Sequence, residues 1–338
     1  MNIVILDDYQ DAVRKLACFE QLAEHDVKVF NNNVKGAGQL AVRLRDAQAL
    51  VLNRERTALS SAVLARCPRL RLVVQTGRIG PHVDVEACTR MGVAVLEGST
   101  DPAPTAEFTW ALIMAAMRRI PQYVASLKQG AWQQSGLKSQ SMPVNFGIGQ
   151  RLAGKTLGIW GYGRVGRLVA GYGRAFGMRV LVWGSEESLR RAQADGMVAA
   201  ADREQLFTQS DVLSLHLRLH ESTQGVVTLT DLSRMQPDAV LVNTARAELI
   251  ANDALVAALN RGRPGMAAVD VFESEPIMRG NPLLRLENAI CTPHVGYVDA
   301  LHYEHLFGQA FAAILRFAAG ERDGVLNPQA LRHAHWAR

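Results

Sequence analysis

Long hydrophobic runs are missing from this chain. The longest, Trp110 to Met117, is eight residues, well under the roughly 18 needed to cross a bilayer, so no membrane partner is expected. The first residues, MNIVILDDYQ, turn acidic after Leu6 and lack the basic start and long apolar core of a secretory signal. A cytoplasmic protein is the reading. Cysteine is scarce too: Cys18, Cys67, Cys88 and Cys291 stand far apart, with no C-x-x-C or Cys/His cluster. That argues against a zinc site or any other metal centre, and against a disulfide framework, and leaves buried free thiols as the expectation. Cys291 precedes His294 by three residues, but a strand would turn those two to opposite faces. Lysine supplies only six of 37 basic residues, against 32 acidic ones, for a formal net charge of +5. The arginines are dispersed and no block of five or six like charges appears, so nucleic acid is not an expected partner.

At 338 residues, two domains are expected. Apolar residues make up 48% and charged residues 20%, the balance of a packed globular chain. Short apolar runs at 2–6, 27–30, 49–52, 70–77 and 92–96 read as buried parallel strands. Helical patterns lie between them, such as 60–68, which opens on serine and stops at proline. A proline-rich joint, DPAPT at 101–105, precedes one long helix predicted over 105–120, with Thr105 as N-cap and Glu107 favourable at the positive helix end. Residues 128–150 are polar and poor in pattern and read as an arm or long loop. A second α/β series follows, with strands at 156–160, 179–183, 211–217, 239–244, 266–271 and 289–293. It includes a helix at 252–262 capped by Asn252 and stopped by Gly262, and it is followed by a last helix near 298–319.

TLGIW, then GYGRVG, then RLVAGYGRAFG is strand, glycine loop, helix. In such a loop the first glycine allows a tight turn, the second lets amides approach a pyrophosphate, and the third lets helix pack on strand. The helix N-terminus adds partial positive charge. Alone the motif is weak; between a strand and a helix inside an α/β series it points to a dinucleotide. Arg164 would lie beside the phosphates. An acid about 20 residues past the loop normally holds the ribose of NAD, yet the residue eighteen past Gly166 is Gly184.

Three further stretches carry candidate chemistry. VNTARAELI sets Arg246 just past an apolar strand, VDVFESEP sets Glu275 past another, and CTPHVGY sets His294 past a third. In a doubly wound sheet such strand ends converge on the ligand crevice. Arg grips a carboxylate bidentately and polarises a neighbouring carbonyl. His gives or takes a hydroxyl proton. Glu accepts a hydrogen bond from the other ring nitrogen, fixing the tautomer and favouring the imidazolium. Each alone would be ordinary, an arginine on the surface or a glutamate in a solvated loop; the combination downstream of a phosphate loop carries the weight. His216, within a strand, reads as a hydrogen-bonded packing residue.

From about residue 45 to 320 the chain resembles the D-isomer-specific 2-hydroxyacid dehydrogenase family, which includes phosphoglycerate dehydrogenases and glyoxylate/hydroxypyruvate reductases. The stretches that carry the resemblance include TAEFTWALIMAAMRRI, LAGKTLGIWGYGRVG, SDVLSLHLRLHEST, MQPDAVLVNTARAELI, AAVDVFESEP and NAICTPHVGY. It implies an α/β fold of two Rossmann-like domains: a flavodoxin-like substrate domain, 1–102 with 295–338, and an inserted doubly wound NAD(P)-binding domain, 103–294. It implies hydride transfer between NAD, or NADP, and C2 of a 2-hydroxy/2-keto acid, with Arg246, Glu275 and His294 as catalytic residues. Cofactor contacts would fall on Thr105, Gly161, Gly163, Arg164, Val165, Gly166, Gly184, Ser185, Leu217, Arg218, Thr244, Ala245, Arg246, Asp270, His294, Val295, Gly296 and Tyr297. Substrate contacts would fall on Arg54, Gly77, Arg78, Ile79, Arg246 and His294. Family members close about a hinge to exclude water and generally form homodimers through the nucleotide domain, a role that suits 105–150.

The chain departs from the family pattern in four places. Gly184 replaces the ribose acid; Glu186 and Glu187 nearby would repel a 2′-phosphate, whereas Arg218, where proline is usual, argues for one. In the substrate loop TGRIG, whose backbone N–H groups bind the substrate carboxylate in the family, Arg78 intrudes and the second glycine is displaced to Gly80. Arg78 would either meet a second anionic group or point to solvent. Arg54 fits the arginine of an R-S-x-T pattern, with Glu55 in place of serine. Tyr297 sets a bulky phenol after the His-x-Gly segment. Formate dehydrogenases usually carry Gln at position 275, which disfavours formate, and a chain ending at 338 leaves no room for the regulatory domain of longer serine-pathway enzymes. A different class remains open: corepressor-type members use the fold as an NADH-sensing, partner-binding module.

Overall fold

The computed structural model describes residues 1–137, 142–333 and 336. The chain divides into two compact units, Met1–Asp101 with Val298–Arg338, and Pro102–Tyr297.

The first unit is built on five strands: β1 (Asn2–Ile5), β2 (Asp26–Val29), β3 (Ala49–Leu52), β4 (Leu72–Gln75) and β5 (Ala94–Glu97). They pair in the order β2-β1-β3-β4-β5, every pair parallel, the flavodoxin order. The apolar runs form strands because all four residues of β3 and of β4 are buried, as expected where helices cover both sheet faces. One core packs Leu50, Leu52, Val73 and Val95 against Leu40, Leu44, Val63 and Leu64. The helix Ala300–Ala318 completes the unit, burying Tyr303, Phe307, Phe311 and Ile314. Buried Asn327 ties the tail to β5: its Oδ1 accepts from Val95 N–H and its amide donates to Val93 O, both at 2.9 Å.

The second unit has seven strands: β6 (Thr156–Trp160), β7 (Arg179–Trp183), β8 (Val198–Ala199), β9 (Val212–Leu215), β10 (Val240–Asn243), β11 (Met266–Val269) and β12 (Ala289–Cys291). The order is β12-β11-β10-β9-β6-β7-β8, again all parallel. Successive side chains enter opposite cores. Leu157, Ile159, Val180 and Val182 meet one layer of helices, and Trp160, Leu181, Leu213 and Leu241 the other. The chain reverses direction of winding between the neighbours β6 and β9, and ligands of such sheets bind at that switch point, outside the carboxyl ends of the strands.

Several local expectations are corrected. The helix expected over 105–120 begins earlier and is broken: Ala103–Met117 is followed by Ile120–Lys128. Pro102 is the N-cap and Pro104 lies in the first turn, where its missing N–H costs nothing. Thr105 therefore lies inside the helix, its carbonyl accepting from Thr109 Oγ1. The break falls at Arg119, with φ 56. Its buried guanidinium donates to Ala116 O at 2.7 Å and Phe146 O at 3.0 Å and lies 4.2 Å over the Phe146 ring. Burial pushes its pKa down to about 10. The helix Ala254–Asn260 is preceded not by Asn252 as cap but by Asp253 in the left-handed region. The two-residue edge strand β8 lies in the short apolar run 197–201, which the sequence reading did not single out as a strand. The described residues between Lys128 and 150 contain no helix or strand, and 138–141 lie outside the described residues. No described helix is long and apolar enough to cross a membrane.

Candidate active site

Parallel strands bring their carboxyl ends to one edge, so the segments after β10, β11 and β12 emerge side by side. Each carries one of the three candidates. After β10, Asn243 closes a turn: its Nδ2 donates to Arg246 O at 2.8 Å and its Oδ1 accepts from Ala245 N–H at 3.0 Å. This presents Arg246 at the sheet edge, half-buried, with Nη1 donating to Ala245 O. Thr244 is anchored by a 2.7 Å hydroxyl contact to buried Thr109 of the neighbouring helix.

After β11 and β12, Glu275 and His294 meet. His294 Nδ1 lies 2.7 Å from Glu275 Oε2, and Glu275 Oε1 accepts from Phe272 N–H at 3.0 Å. A carboxylate is acceptor-only, so this contact assigns the imidazole proton to Nδ1 and leaves Nε2 for chemistry. His294 itself has φ 53, a conformation that costs a non-glycine residue of order 1 kcal/mol and clusters at functional sites. The surroundings impose it. Buried Asp270, the first residue past β11, accepts from Val295 N–H at 3.0 Å, Gly296 N–H at 2.8 Å and Thr292 Oγ1 at 2.7 Å. The loop on both sides of His294 is thus drawn onto one carboxylate, whose pKa burial pushes up. The Tyr297 ring stands edge-on to the imidazole, at 90° with centroids 6.0 Å apart, and is itself buried.

The glycine loop fits a dinucleotide. Gly161 has φ 99, and a Cβ there would lie 2.8 Å from His216 O; at Gly166 it would lie 2.2 Å from Gly161 O. Both positions are closed to side chains by the fold itself. A Cβ at Gly163 would meet nothing within 4 Å; this N-cap of the helix Arg164–Ala175 faces open space, where a pyrophosphate can approach the helix N-terminus. Arg164 is exposed in the first turn and Val165 half-buried. His216 lies under this loop, 2.9 Å from Ser214 Oγ, and burial pushes its pKa down to about 4. At the far end, a Cβ at Gly184 would sit 3.2 Å from Ser188 Cβ, so an acid here would be crowded. Ser185 caps the helix Glu186–Ala194 through Ser188 N–H. Leu217 is half-buried and Arg218 exposed. Thr105, Asp270 and Gly296 lie together: a Cβ at Gly296 would be 3.1 Å from Asp270 Oδ2 and 3.8 Å from Thr105 Cγ2.

Arg54, Gly77, Arg78 and Ile79 belong to the first unit. Arg54 has φ 57, and its Nη1 lies 2.4 Å from where a Gly77 Cβ would stand, so the guanidinium takes the side-chain space of that glycine. Arg78 is exposed. Sequence reasoning missed Asn243, whose signal was one polar residue closing an apolar strand.

Residues 110–296 match the D-isomer specific 2-hydroxyacid dehydrogenase, NAD binding domain. A glyoxylate reductase of Aeropyrum pernix is 38% identical over 261 residues, 77% of this chain and 76% of that one. This chain belongs to the D-isomer specific 2-hydroxyacid dehydrogenase family. A D-3-phosphoglycerate dehydrogenase of Methanocaldococcus jannaschii is 34% identical over 298 residues; the match covers 88% of this chain but only 53% of that longer one. A crystal structure from Ralstonia solanacearum, provisionally assigned as a D-3-phosphoglycerate dehydrogenase, is 61% identical with a TM-score of 0.97 and 99% coverage of both chains. The chain is accordingly an oxidoreductase of 2-hydroxyacids, and its second unit is the NAD-binding one.

Proposed function

We propose that the protein is an NAD-dependent D-2-hydroxyacid dehydrogenase acting on a small acid of the phosphoglycerate, glyoxylate or hydroxypyruvate type. The observation that carries this reading is the 2.7 Å contact between His294 Nδ1 and Glu275 Oε2. When bound, NAD supplies a hydride acceptor, and NADH a hydride donor, for C2 of the acid. The protein's own part is proton management and grip. In the direction of reduction, His294 delivers a proton from Nε2 to the oxygen forming on C2, and Glu275 keeps Nδ1–H in place as the ring returns to neutrality. In oxidation the same nitrogen takes the proton back. Arg246 grips the carboxylate and polarises the C2 carbonyl. The first unit serves as the substrate domain, with Arg54, Gly77, Arg78 and Ile79 receiving the acid. The partner-sensing alternative draws no support from the relatives.

NAD rather than NADP is the favoured cofactor because Glu186 and Glu187 occupy the first turn of the helix that Ser185 caps, where a 2′-phosphate would meet two carboxylates. A homodimer fits the exposed row Ile120, Val124 and Leu127, with Trp132 beyond it; sedimentation of the purified chain at twice the monomer mass is expected, and a monomer would refute it.

The test is turnover of glyoxylate, hydroxypyruvate and 3-phosphohydroxypyruvate with NADH and NADPH. At least one acid should be reduced, with NADH preferred. His294→Ala should lose about 10²- to 10⁴-fold in kcat with little change in NADH affinity. No turnover of any acid, or near-normal turnover by His294→Ala, would refute the reading; a preference for NADPH above about tenfold would refute the cofactor assignment.

A further inference from the structure

On the reading above, backbone N–H groups of the 77–79 loop receive the substrate carboxylate. One of them is already occupied from within the chain: Ile79 N–H donates to Glu97 Oε2 at 2.8 Å. The fold makes this contact. β4 and β5 are paired with Gln75 in register with Glu97, so the two chains leave the sheet side by side. Gly98 N–H then donates to Gln75 O at 3.0 Å and to Gly77 O at 3.1 Å. A Cβ at Gly98 would lie 3.3 Å from Gly77 N, so the two loops run in close contact. Gly77, at φ 138, turns the chain so tightly that Arg54 fills its side-chain space. Two residues later, Ile79 N–H faces the side chain of Glu97. Glu97 is the one exposed residue of an otherwise buried strand, so packing does not explain an acid at this position.

A carboxylate oxygen accepting a peptide N–H is the same contact that the carboxylate of a 2-keto acid would make. Two carboxylates at one donor repel each other, so both cannot hold it. We propose that Glu97 is a built-in competitor for the substrate-carboxylate position: it holds the Ile79 N–H in the free enzyme, is displaced when the acid binds, and thereby sets the affinity for substrate without touching the reacting atoms. Glu97 orders the loop between turnovers at the expense of binding. Its removal should tighten binding, an effect opposite in sign to the loss of an ordinary structural contact.

This inference rests on the 2-keto acid reading. The experiment measures, on the full-length enzyme with NADH, the KM for glyoxylate and the inhibition constant of oxamate, a keto-acid isostere that cannot be reduced. In Glu97→Ala both constants should fall about fivefold. Glu97→Gln should fall less, because its amide oxygen still accepts but carries no charge, and Glu97→Asp, one methylene too short for Ile79, should follow the alanine variant. The kcat should stay within about twofold in all three, since the competitor acts before the chemical step. Unchanged or raised constants in Glu97→Ala, with wild-type turnover intact, would overturn the Glu97 inference alone. Neither turnover nor oxamate binding in any of the four proteins would overturn the keto-acid reading and this inference with it.

Discussion

Replacing Glu275 by Gln tests the imidazole–carboxylate pair more sharply than deleting either member, because shape is kept and only charge and one acceptor are lost. Glu275 uses both oxygens, Oε2 toward His294 Nδ1 at 2.7 Å and Oε1 toward Phe272 N–H at 3.0 Å. Glutamine has one oxygen and one NH2 group for these two donors. If its oxygen keeps His294, its NH2 faces the Phe272 N–H, donor against donor. If its oxygen keeps Phe272, its NH2 faces Nδ1 and forces the imidazole proton onto Nε2, and the ring can then no longer give up that proton and remain neutral. Either arrangement breaks one bond and removes the carboxylate charge beside the imidazole. A hydrogen bond to a charged partner is worth about 1.5–3 kcal/mol, so a loss of about 2–3 kcal/mol in the transition state is expected, a fall of roughly 30- to 160-fold in kcat. NADH affinity should hardly change, because the cofactor cradle lies after β6. The assay is single-turnover reduction of the preferred keto acid, followed by NADH absorbance, which separates chemistry from product release. A single-turnover rate within about threefold of wild type would show that Glu275 does not support the proton transfer.

Other expectations follow from the same geometry. Asp270→Asn removes one of the acceptors that draw Val295 and Gly296 onto β11; kcat/KM should drop about tenfold and the amides of Val295 and Gly296 should exchange faster, whereas unaltered exchange would refute the clamp. His216, pushed by burial down to about 4, stays neutral when folded, while an unfolded histidine picks up a proton near 6.5. Between those values the unfolded chain binds more protons, so this residue's contribution declines as pH falls from about 6.5 to about 4, by at most about 3 kcal/mol, and is flat above that range. Urea titrations of wild type and His216→Gln should therefore converge on acidification, and parallel curves would exclude the effect. Burial raises the four thiols, Cys18 and Cys88 to about 12 and Cys67 and Cys291 to about 11, so thiol reagents at pH 8 should label the native enzyme slowly and the urea-unfolded chain at once; one fast native site would contradict the structure.

The architecture was legible because most of its strands, the edge strands β2 and β8 apart, are buried on both faces. ALVL at 49–52 and RVLVW at 179–183 are strands over those same residues, since an unbroken apolar run of that length between turn signals has few other uses in an α/β chain. The cradle was legible for a related reason: Gly161 and Gly166 are excluded from carrying side chains by contacts within the motif itself. What the sequence concealed are features decided by partners far along the chain. Nothing near Arg119 announces that its guanidinium will be buried on Phe146 and will end a helix there. Nothing near Asn252 announces that the helix will begin past a left-handed Asp253 instead.

The same distinction runs through the site. Arg246, Glu275 and His294 could be picked out because each follows an apolar strand, and the order of the sheet brings those ends to one edge. The backbone conformation of His294 could not be. His-Val-Gly-Tyr has no local preference for φ 53 at its first residue; that angle is held by Asp270, whose carboxylate gathers the N–H groups of Val295 and Gly296 and the hydroxyl of Thr292 from more than 20 residues away. Asp270 is itself placed by β11, which pairs with both β10 and β12. The strand that brings Glu275 within reach of the imidazole is therefore the strand that sets the imidazole's own backbone. A change in the packing of β11, at Ala267 or Ala268 for instance, would reach both halves of the imidazole–carboxylate pair together.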